Sequence, residues 1–293
     1  MFAHLEEFSV SRCETPPVSP QTSQVLEKLR RYYLDNNFHN FQETLNSNLS
    51  FPGFDIRSLS CVMSEVIKLK KARFVEELFR HGLPMSPSFA REAVDADAKE
   101  VLQSFLYYGW DINQPMAPES PPILSNALQS LEMTTWLLDH GADPNQRCEI
   151  DVTPLSYAVE RASFSIIKLL LDRGGDVTTG QLLHHAVMRE SDSLEAVELL
   201  ISQGADVNAV MYQNHQPSLE RRFFMAETPL HTAIYYGKQD VIRYLISSGA
   251  DVSIKNAKRE TALQFALRTN KSIWTEIIQA NQAYRILHFH ASL

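Results

Sequence analysis

Short apolar stripes with helical spacing recur along this chain, separated by glycine and proline. In residues 227–253, ETPLHTAIYYGKQDVIRYLISSGADVS, apolar residues fall three and four positions apart in two successive segments. That spacing places them on one face of a helix. Thr228 and Pro229 are favoured at a helix start, and Gly237 and Gly249 just past a helix end. The pattern predicts two short helices joined by a tight turn and followed by an extended loop.

The same unit is repeated, which it has to be, because isolated helices shorter than about 12–15 residues are marginal in water. The helix opening recurs as PILSNA, TPLSYA, QLLHHA, TPLHTA and TALQFA. The ending recurs as LLDHGADPN, LLLDRGGDV, LLISQGADVN and LISSGADVS, with weaker copies LFRHGLP and LYYGWDIN. The glycines that close these copies, at positions 82, 109, 141, 174, 204 and 249, are 27, 32, 33, 30 and 45 residues apart.

A period near 33 residues with a T-P-L-H-x-A opening, and with a turn before two helices, resembles the ankyrin repeat family. The resemblance is clear over residues 121–275 and degenerate over residues 55–113. It implies an all-α ankyrin-repeat solenoid of stacked helix–turn–helix units with extended loop and β-turn fingers, and about eight helical pairs. Residues 25–46 have the length of one pair without the marker residues, so we interpret them as an N-terminal cap.

Boundaries of the predicted regions follow from these repeats and from local composition. We expect a disordered N-terminal tail at 1–21, the solenoid at 22–281 with degenerate or capping repeats at 22–113 and clear repeats at 114–281, and a C-terminal tail at 282–293. The 45-residue step exceeds the usual period by about 12 residues. These are assigned to an inserted loop at 209–227.

Bulk composition narrows the function classes. The net charge of −8 and the pI of about 5.7 argue against general nucleic-acid binding, which leaves a basic footprint. Cys13, Cys61 and Cys148 lack metal-ligand spacing, so reduced thiols in an intracellular protein, cytoplasmic or nuclear, are expected. No apolar run approaches the roughly 18–20 residues that span a bilayer. Neither a membrane, a metal nor a cofactor is expected.

Several conspicuous residues are interpreted as architecture. His184 and His231 occupy the histidine slot of the opening motif, where the resemblance implies a hydrogen bond to loop backbone between repeats. Aspartates recur at each loop start, and a residue present in every repeat is a poor candidate for a single working acid. The recurring core positions are Leu124, Leu155, Leu183, Leu230 and Leu263, with Ala127, Ala158, Ala186, Ala233 and Ala266.

Catalytic signatures are missing from the sequence. It contains no nucleotide-binding glycine loop, nucleophile elbow, zinc motif or kinase motif set. Gly180 before a helix is a weak phosphate signal, and a turn is the preferred explanation. These absences favour a protein that is not an enzyme, although a fold alone does not decide function.

If the resemblance holds, the first helices and the loop tips line a concave surface. Its N-terminal end is acidic, with Glu92, Asp95 and Asp97. Its C-terminal half combines aromatic and cationic residues, the types enriched at binding hot spots. The predicted binding residues are Tyr157, Arg161, His185, Arg189, Tyr235, Tyr236, Phe265 and Arg268, with Arg222, Phe223 and Phe224 from the inserted loop; Thr232 is expected to face the same ligand or partner.

Two functions of different classes remain open. The first is a module that binds another protein through the concave face and loop tips. The alternative is an unconventional enzyme or small-molecule binder of the isomerase or cyclase type, independent of metals and nucleotides, with the inserted loop covering the aromatic half of the groove. His185, Tyr157, Tyr235 and Glu160 are its candidate catalytic residues.

Overall fold

The computed structural model describes residues 19–48, 54–221, 227–269, 277 and 279. The chain divides into two compact units, Met1–Trp110 and Asp111–Leu293, here called the N-terminal and C-terminal units. Both are built from short antiparallel helix pairs. Within the described residues, no helix combines the length and apolarity needed to cross a membrane.

The N-terminal unit contains three helix pairs. Its helices are α1 (Pro20–Leu34), α2 (Phe38–Asn48), a 3-10 helix (Ile56–Leu59), α3 (Ser60–Lys68), α4 (Ala72–Arg80), α5 (Pro87–Asp95) and α6 (Lys99–Tyr107). Helix α1 begins inside the last two residues of the predicted tail. The Ser19 hydroxyl accepts the backbone N–H of Thr22 at 3.1 Å, and Pro20 takes the first helical position, so the sequence starts a helix there.

Aromatic packing dominates the core of the N-terminal unit. Phe41 meets Phe74 edge to face, with ring centroids 4.9 Å apart. Phe105 meets Phe79 at 5.5 Å and Trp110 at 6.1 Å in the same manner. Edge-to-face geometry is favoured by the ring quadrupoles and adds to the gain from burying the rings. These rings join successive helix pairs in a region without the T-P-L-H marker.

The C-terminal unit begins with a two-stranded antiparallel hairpin, which the sequence analysis did not predict beyond a general expectation of loop fingers. Its elements are β1 (Pro115–Ala117), β2 (Ser120–Pro122), a 3-10 helix (Ile123–Asn126), α7 (Leu131–Asp139), α8 (Pro154–Arg161), α9 (Phe164–Asp172), α10 (Leu182–Met188), α11 (Ser193–Ser202), α12 (Gln216–Arg221), α13 (Pro229–Tyr236), α14 (Gln239–Ser247) and α15 (Ala262–Thr269). Helix α12 lies within the inserted loop.

Repeat counting agrees with the expectation of about eight helical pairs. The described residues contain seven pairs, one of which opens with the 3-10 helix at Ile123–Asn126, and α15 is the first helix of an eighth. The recurring leucines and alanines are buried as expected, except that Leu263 is half-buried. Gly237 and Gly249 have φ of +68° and +93°, the left-handed conformation in which glycine favourably ends a helix.

Polar ties connect successive repeats of the C-terminal unit. At the fourth position of the opening motif, Ser156 Oγ donates to the carbonyl oxygen of Gly180 at 2.5 Å. His184 Nε2 lies 2.9 Å from the carbonyl oxygen of Glu227, and His231 Nε2 lies 3.2 Å from that of Glu260. The two histidines therefore serve the backbone-binding role implied by the resemblance.

A second set of ties uses asparagine side chains of the loops. Asn145 Nδ2 donates to the carbonyl oxygen of Gly174 at 2.8 Å, and its Oδ1 accepts the backbone N–H of Asp176 at 2.7 Å. Asn113 and Asn208 form the same two bonds to the loops that follow them. The recurring aspartates close local turns by accepting the backbone N–H two residues onward, as Asp143, Asp176, Asp206 and Asp251 do. Their repetition is architectural.

Candidate functional site

The candidate site is the surface formed by the first helix of successive repeats in the C-terminal unit. Helix α10 packs against α8 and α13, and α13 packs against α15. We call their accessible and half-buried side chains the first-helix face: Tyr157, Glu160, Arg161, His185, Met188, Tyr235, Tyr236 and Arg268. These residues come from four different first helices and meet only because the repeats stack.

Glu160 is the centre of a charged cluster on this face. His185 Nδ1 on α10 donates to Glu160 Oε2 on α8 at 2.6 Å. Arg161 donates to Glu160 Oε1 at 3.1 Å, and its guanidinium lies 4.6 Å from the centroid of the Tyr157 ring. One carboxylate thus orients an imidazole, an arginine and, through the arginine, a tyrosine.

Electrostatics keep Glu160 ionised. Its burial would raise the pKa of the carboxyl, but the His185 hydrogen bond and the charges of His185 and Arg161 outweigh burial and hold the pKa at about 2. The His185 side chain retains 12% of its accessible area. An oriented imidazole beside a carboxylate can bind a ligand by hydrogen bonds or transfer a proton.

Tyr235 and Tyr236 are the most prominent apolar feature of the face. Their side chains stand at the end of α13, 57% and 39% exposed, with the rings perpendicular and their centroids 5.1 Å apart. Burial, Tyr235, and the charges of Glu160 and Glu227 all raise the pKa of Tyr236, so its hydroxyl remains a proton donor at neutral pH. Both rings are available for contact, as predicted.

Arg268 is accessible but held in place. Its Nε and Nη2 donate to the two carboxylate oxygens of Glu260 at 2.7 and 2.9 Å. Its guanidinium also lies 5.1 Å from the ring centroid of Phe265. A two-point pair of this kind fixes the plane of the guanidinium, which leaves Arg268 pre-oriented at the α15 end of the face.

Three residues expected on the surface are buried, and the expectation is corrected. Arg189 donates to the carbonyl oxygens of Val159 at 2.6 Å and Ala162 at 3.1 Å, so its guanidinium joins two repeats internally. Thr232 and Phe265 are only 4% exposed. The Phe265 ring packs on His231, with centroids 5.7 Å apart. These side chains support the face from below instead of presenting it.

The described part of the inserted loop packs onto neighbouring loops. Met211 and Tyr212 are buried, and the backbone N–H of Tyr212 donates to Gln181 Oε1 at 3.0 Å. The Met211 N–H donates to the carbonyl oxygen of Glu227 at 2.9 Å. The loop is therefore docked at both of its described ends. Arg222, Phe223 and Phe224, predicted to line a binding site, lie outside the described residues.

Asp151 forms a buried junction between loops that sequence reasoning missed. Arg147 Nε approaches Asp151 Oδ1 at 2.7 Å, and the same oxygen accepts the Gly180 N–H at 3.3 Å. Gln181 donates to the other oxygen. The backbone N–H of Asp151 donates to Ser218 Oγ of the inserted loop at 2.9 Å. Gly180 is therefore a turn residue with φ of +73°, and the weak phosphate signal there is explained by packing.

The acidic residues predicted at the N-terminal end lie in the other unit and are largely engaged. Ser64 Oγ donates to Glu92 Oε1 at 3.0 Å, and Asp97 pairs with Lys70 at 4.0 Å and Lys99 at 3.6 Å. Across the described part of the chain, no group of three or more His, Cys, Asp or Glu side chains could hold a metal ion. Cys61 is exposed and Cys148 buried, and neither forms a disulfide.

Comparison with known proteins gives the class of this chain. The family described as ankyrin repeats in three copies matches residues 91–181, 123–211 and 183–284. These matches cover more than half of the chain. The chain therefore belongs to the ankyrin repeat family, and its helix pairs, inter-repeat histidines and finger loops are those of an ankyrin repeat domain.

Relatives within this family share part of the chain. The B-cell lymphoma 3 protein homolog of Mus musculus is 35% identical over 121 residues, covering 39% of this chain and 24% of that protein. The B-cell lymphoma 3 protein of Homo sapiens is 36% identical over 140 residues, covering 44% and 28%. The aligned region is thus a minor part of each relative's length.

Solved structures agree on the fold. The crystal structure of the ankyrin repeat domain of Bcl-3 is similar with a TM-score of 0.52 and 25% identity, covering 74% of this chain and 97% of that one. The human ASB11 ankyrin repeat domain gives a TM-score of 0.52 at 20% identity, covering 74% and 96%. At that identity, the second similarity shows the fold alone.

Proposed function

We propose that this chain is a protein-interaction module that binds a partner polypeptide through the first-helix face of its C-terminal unit and the adjoining loop tips. Ankyrin repeat domains typically serve protein interaction, and repeat arrays use extended surfaces for it. The observation that carries the proposal is the exposure of two adjacent tyrosine rings, Tyr235 and Tyr236, on that face.

The neighbouring charges support a binding role. Exposed apolar area costs about 25 cal/mol per Å² relative to burial, so two accessible rings give a partner a favourable contact. Arg161 and Arg268 are oriented by carboxylates on either side of the pair. Tyrosine and arginine dominate binding hot spots because each combines a large contact area with fixed hydrogen-bonding geometry. The face therefore offers anchors that need little ordering on binding.

Affinity purification from the native cell tests the proposal. The wild-type chain is compared with Tyr235→Ala/Tyr236→Ala/Arg268→Ala, whose fold is verified by circular dichroism. The matched control is Tyr107→Ala/Arg243→Ala, because Tyr107 is 83% exposed and lies in the N-terminal unit, while Arg243 lies on the second helix α14.

We expect a protein that co-purifies with the wild type and the control to be lost from the groove variant. A partner retained by all three chains would place binding elsewhere. The absence of any specific partner would contradict the proposal.

The Glu160–His185 bond of 2.6 Å supports a second candidate function, general acid–base chemistry on a small molecule. Native mass spectrometry of the wild type and His185→Gln after incubation with metabolite extracts tests it. A metabolite bound by the wild type alone would favour this function, and equal spectra for the two chains would exclude it at this residue.

A further inference from the structure

Glu227 differs from the other carboxylates beside the first-helix face. Its backbone carbonyl oxygen accepts hydrogen bonds from His184 Nε2 and from the Met211 N–H, both at 2.9 Å. The residue is half-buried. Among the described residues, no hydrogen bond or ion pair reaches its carboxylate. The backbone is thus fixed on two sides while the acidic group has no partner of its own.

The surrounding carboxylates are matched by cations at contact distance. Glu160 accepts from His185 and Arg161, and Glu260 accepts two bonds from Arg268. At Glu227, burial raises the pKa, Lys258 and Arg268 oppose this through their charge, and Glu260 reinforces it. A desolvated carboxylate of this kind gains from a cation placed in contact with it, because a charge-assisted hydrogen bond restores what burial removed.

The tyrosine pair lies in the field of the same acids. The charges of Glu160 and Glu227 both act on the Tyr236 side chain. Its ring is perpendicular to that of Tyr235, at an interplanar angle of 83°, so the pair presents a ring face beside a ring edge. A cation within about 6 Å of a ring centroid is attracted to the face of the ring, and arginine is used more often than lysine.

The cations of this chain near the pair are already engaged. Arg268 is held by Glu260, Arg161 by Glu160, and Lys238 Nζ donates to the carbonyl oxygen of Arg189 at 2.8 Å. The chain as a whole carries a net charge of −8. A cation that would match Glu227 must therefore come from outside the chain.

From this arrangement we infer that the partner polypeptide inserts an arginine or lysine side chain between the Tyr235–Tyr236 pair and the Glu227 carboxylate. This inference rests on the proposed function, since it names the chemistry of the segment bound by the first-helix face. The ring contributes the apolar stem contact and the cation–π attraction, and Glu227 contributes the directed hydrogen bond.

Selection from a randomised peptide display library tests the inference, and it does not require the partner to be identified first. The full chain is used as wild type, as Glu227→Gln and as Glu198→Gln. Glu198 is an exposed residue of α11 and supplies the same change of charge away from the face. Glu227→Gln keeps the size of the side chain and the backbone bonds, and thermal unfolding verifies that both variants fold.

We expect one basic position to be enriched with the wild type and with Glu198→Gln, and to be lost with Glu227→Gln. A selected peptide and its version with glutamine at the basic position then complete a double-mutant cycle. Each single change should weaken binding by about tenfold, and the second change should add little to the first, as coupled partners require.

Other outcomes overturn the inference in distinguishable ways. Enrichment of acidic or purely apolar peptides, or of basic peptides indifferent to Glu227→Gln, would leave the interaction function standing and remove the cation site. The absence of enrichment with any chain would contradict both the inference and the proposed function.

Discussion

The two units join the same kind of helix pair with different chemistry. In the N-terminal unit, aromatic rings such as Phe74 and Phe105 connect successive pairs edge to face. In the C-terminal unit, the ties are polar: His184, His231 and Asn145 each bind the backbone of the following loop. Ankyrin-type stacking therefore does not depend on the marker residues, which are one of two ways of fixing neighbouring repeats.

The difference has an energetic meaning. A net hydrogen bond contributes about 0.5–1.5 kcal/mol, so a polar tie is individually modest but directional. A buried aromatic ring contributes more through area, with less constraint on register. Polar ties hold the loops and the first helices of the C-terminal unit in register, which suits a surface whose side chains must be presented in fixed positions.

The largest expected effect is at an aromatic tie. Phe105 has no exposed area and contacts the rings of Phe79 and Trp110. Phe105→Ala should lower the free energy of unfolding by about 3–5 kcal/mol, because it removes a buried ring and leaves a cavity. Hydrogen exchange should show the loss of protection concentrated in residues 54–110.

The control for this change is Leu245→Ala, at the equivalent position of α14 and equally buried. Its loss of protection should fall in the C-terminal unit. If both variants lost protection evenly over the whole chain, the contrast between the units would be wrong.

The next effect is the pH dependence contributed by His184. Burial lowers the pKa of this histidine from 6.5 to about 4. Between these values the unfolded chain binds a proton that the folded chain does not, so the free energy of unfolding rises with pH in this window. From pH 7 to pH 5 the contribution should fall by about 2 kcal/mol. Chemical unfolding at the two pH values measures it.

His184→Gln is the matched variant, because Gln264 occupies the same slot in α15 and an amide can still donate to backbone. The difference in stability between pH 7 and pH 5 should shrink in this variant. An unchanged difference would assign the pH dependence to other groups, among which His231 also has a lowered pKa through burial.

An asparagine tie should have a smaller effect. Asn145→Ala leaves the Asp176 N–H and the Gly174 carbonyl without their side-chain partner. We expect the free energy of unfolding to fall by about 1 kcal/mol. Exchange of the Asp176 amide should become faster, while exchange at Asp251, tied by Asn208, should stay as in the wild type. Equal rates at Asp176 in both chains would show that this tie contributes nothing.

Sequence reasoning reached the fold because the polar ties are local marks at fixed spacing. Glycine, aspartate and the T-P-L-H opening are readable one repeat at a time. The same reasoning placed His184 and His231 in structural roles and predicted the exposure of Tyr235 and Tyr236. It is weaker in the N-terminal unit, where aromatic residues carry the same job without a fixed position.

The misplaced surface residues have a conformational cause. Counting along the first helices assumed that each ends at the same position, but α10 ends at Met188, whereas α8 and α13 include the equivalent residue. Arg189 then has φ −50° and ψ 140° and turns towards the carbonyls of the preceding repeat. Periodicity also cannot reveal the Asp151 junction, because its partner Ser218 lies 67 residues away.

The smallest expected effect concerns the loop where the asparagine tie is missing. Thr178 stands at the position of Asn113, Asn145 and Asn208, and its hydroxyl binds Asp176 of its own loop at 2.7 Å. Thr178→Asn should supply the two bonds to the next loop, at Gly204 and Asp206, as the other asparagines do. The expected gain in free energy of unfolding is about 0.5–1 kcal/mol, since two bonds form but a side chain is ordered. Chemical unfolding measures the gain, and slower exchange of the Asp206 amide would identify its origin. Thr178→Ala serves as the control, because it removes the local bond without supplying a tie. If Thr178→Asn were no more stable than Thr178→Ala, the geometry of this loop would differ from that of the other three, and the polar ties would not be interchangeable between repeats.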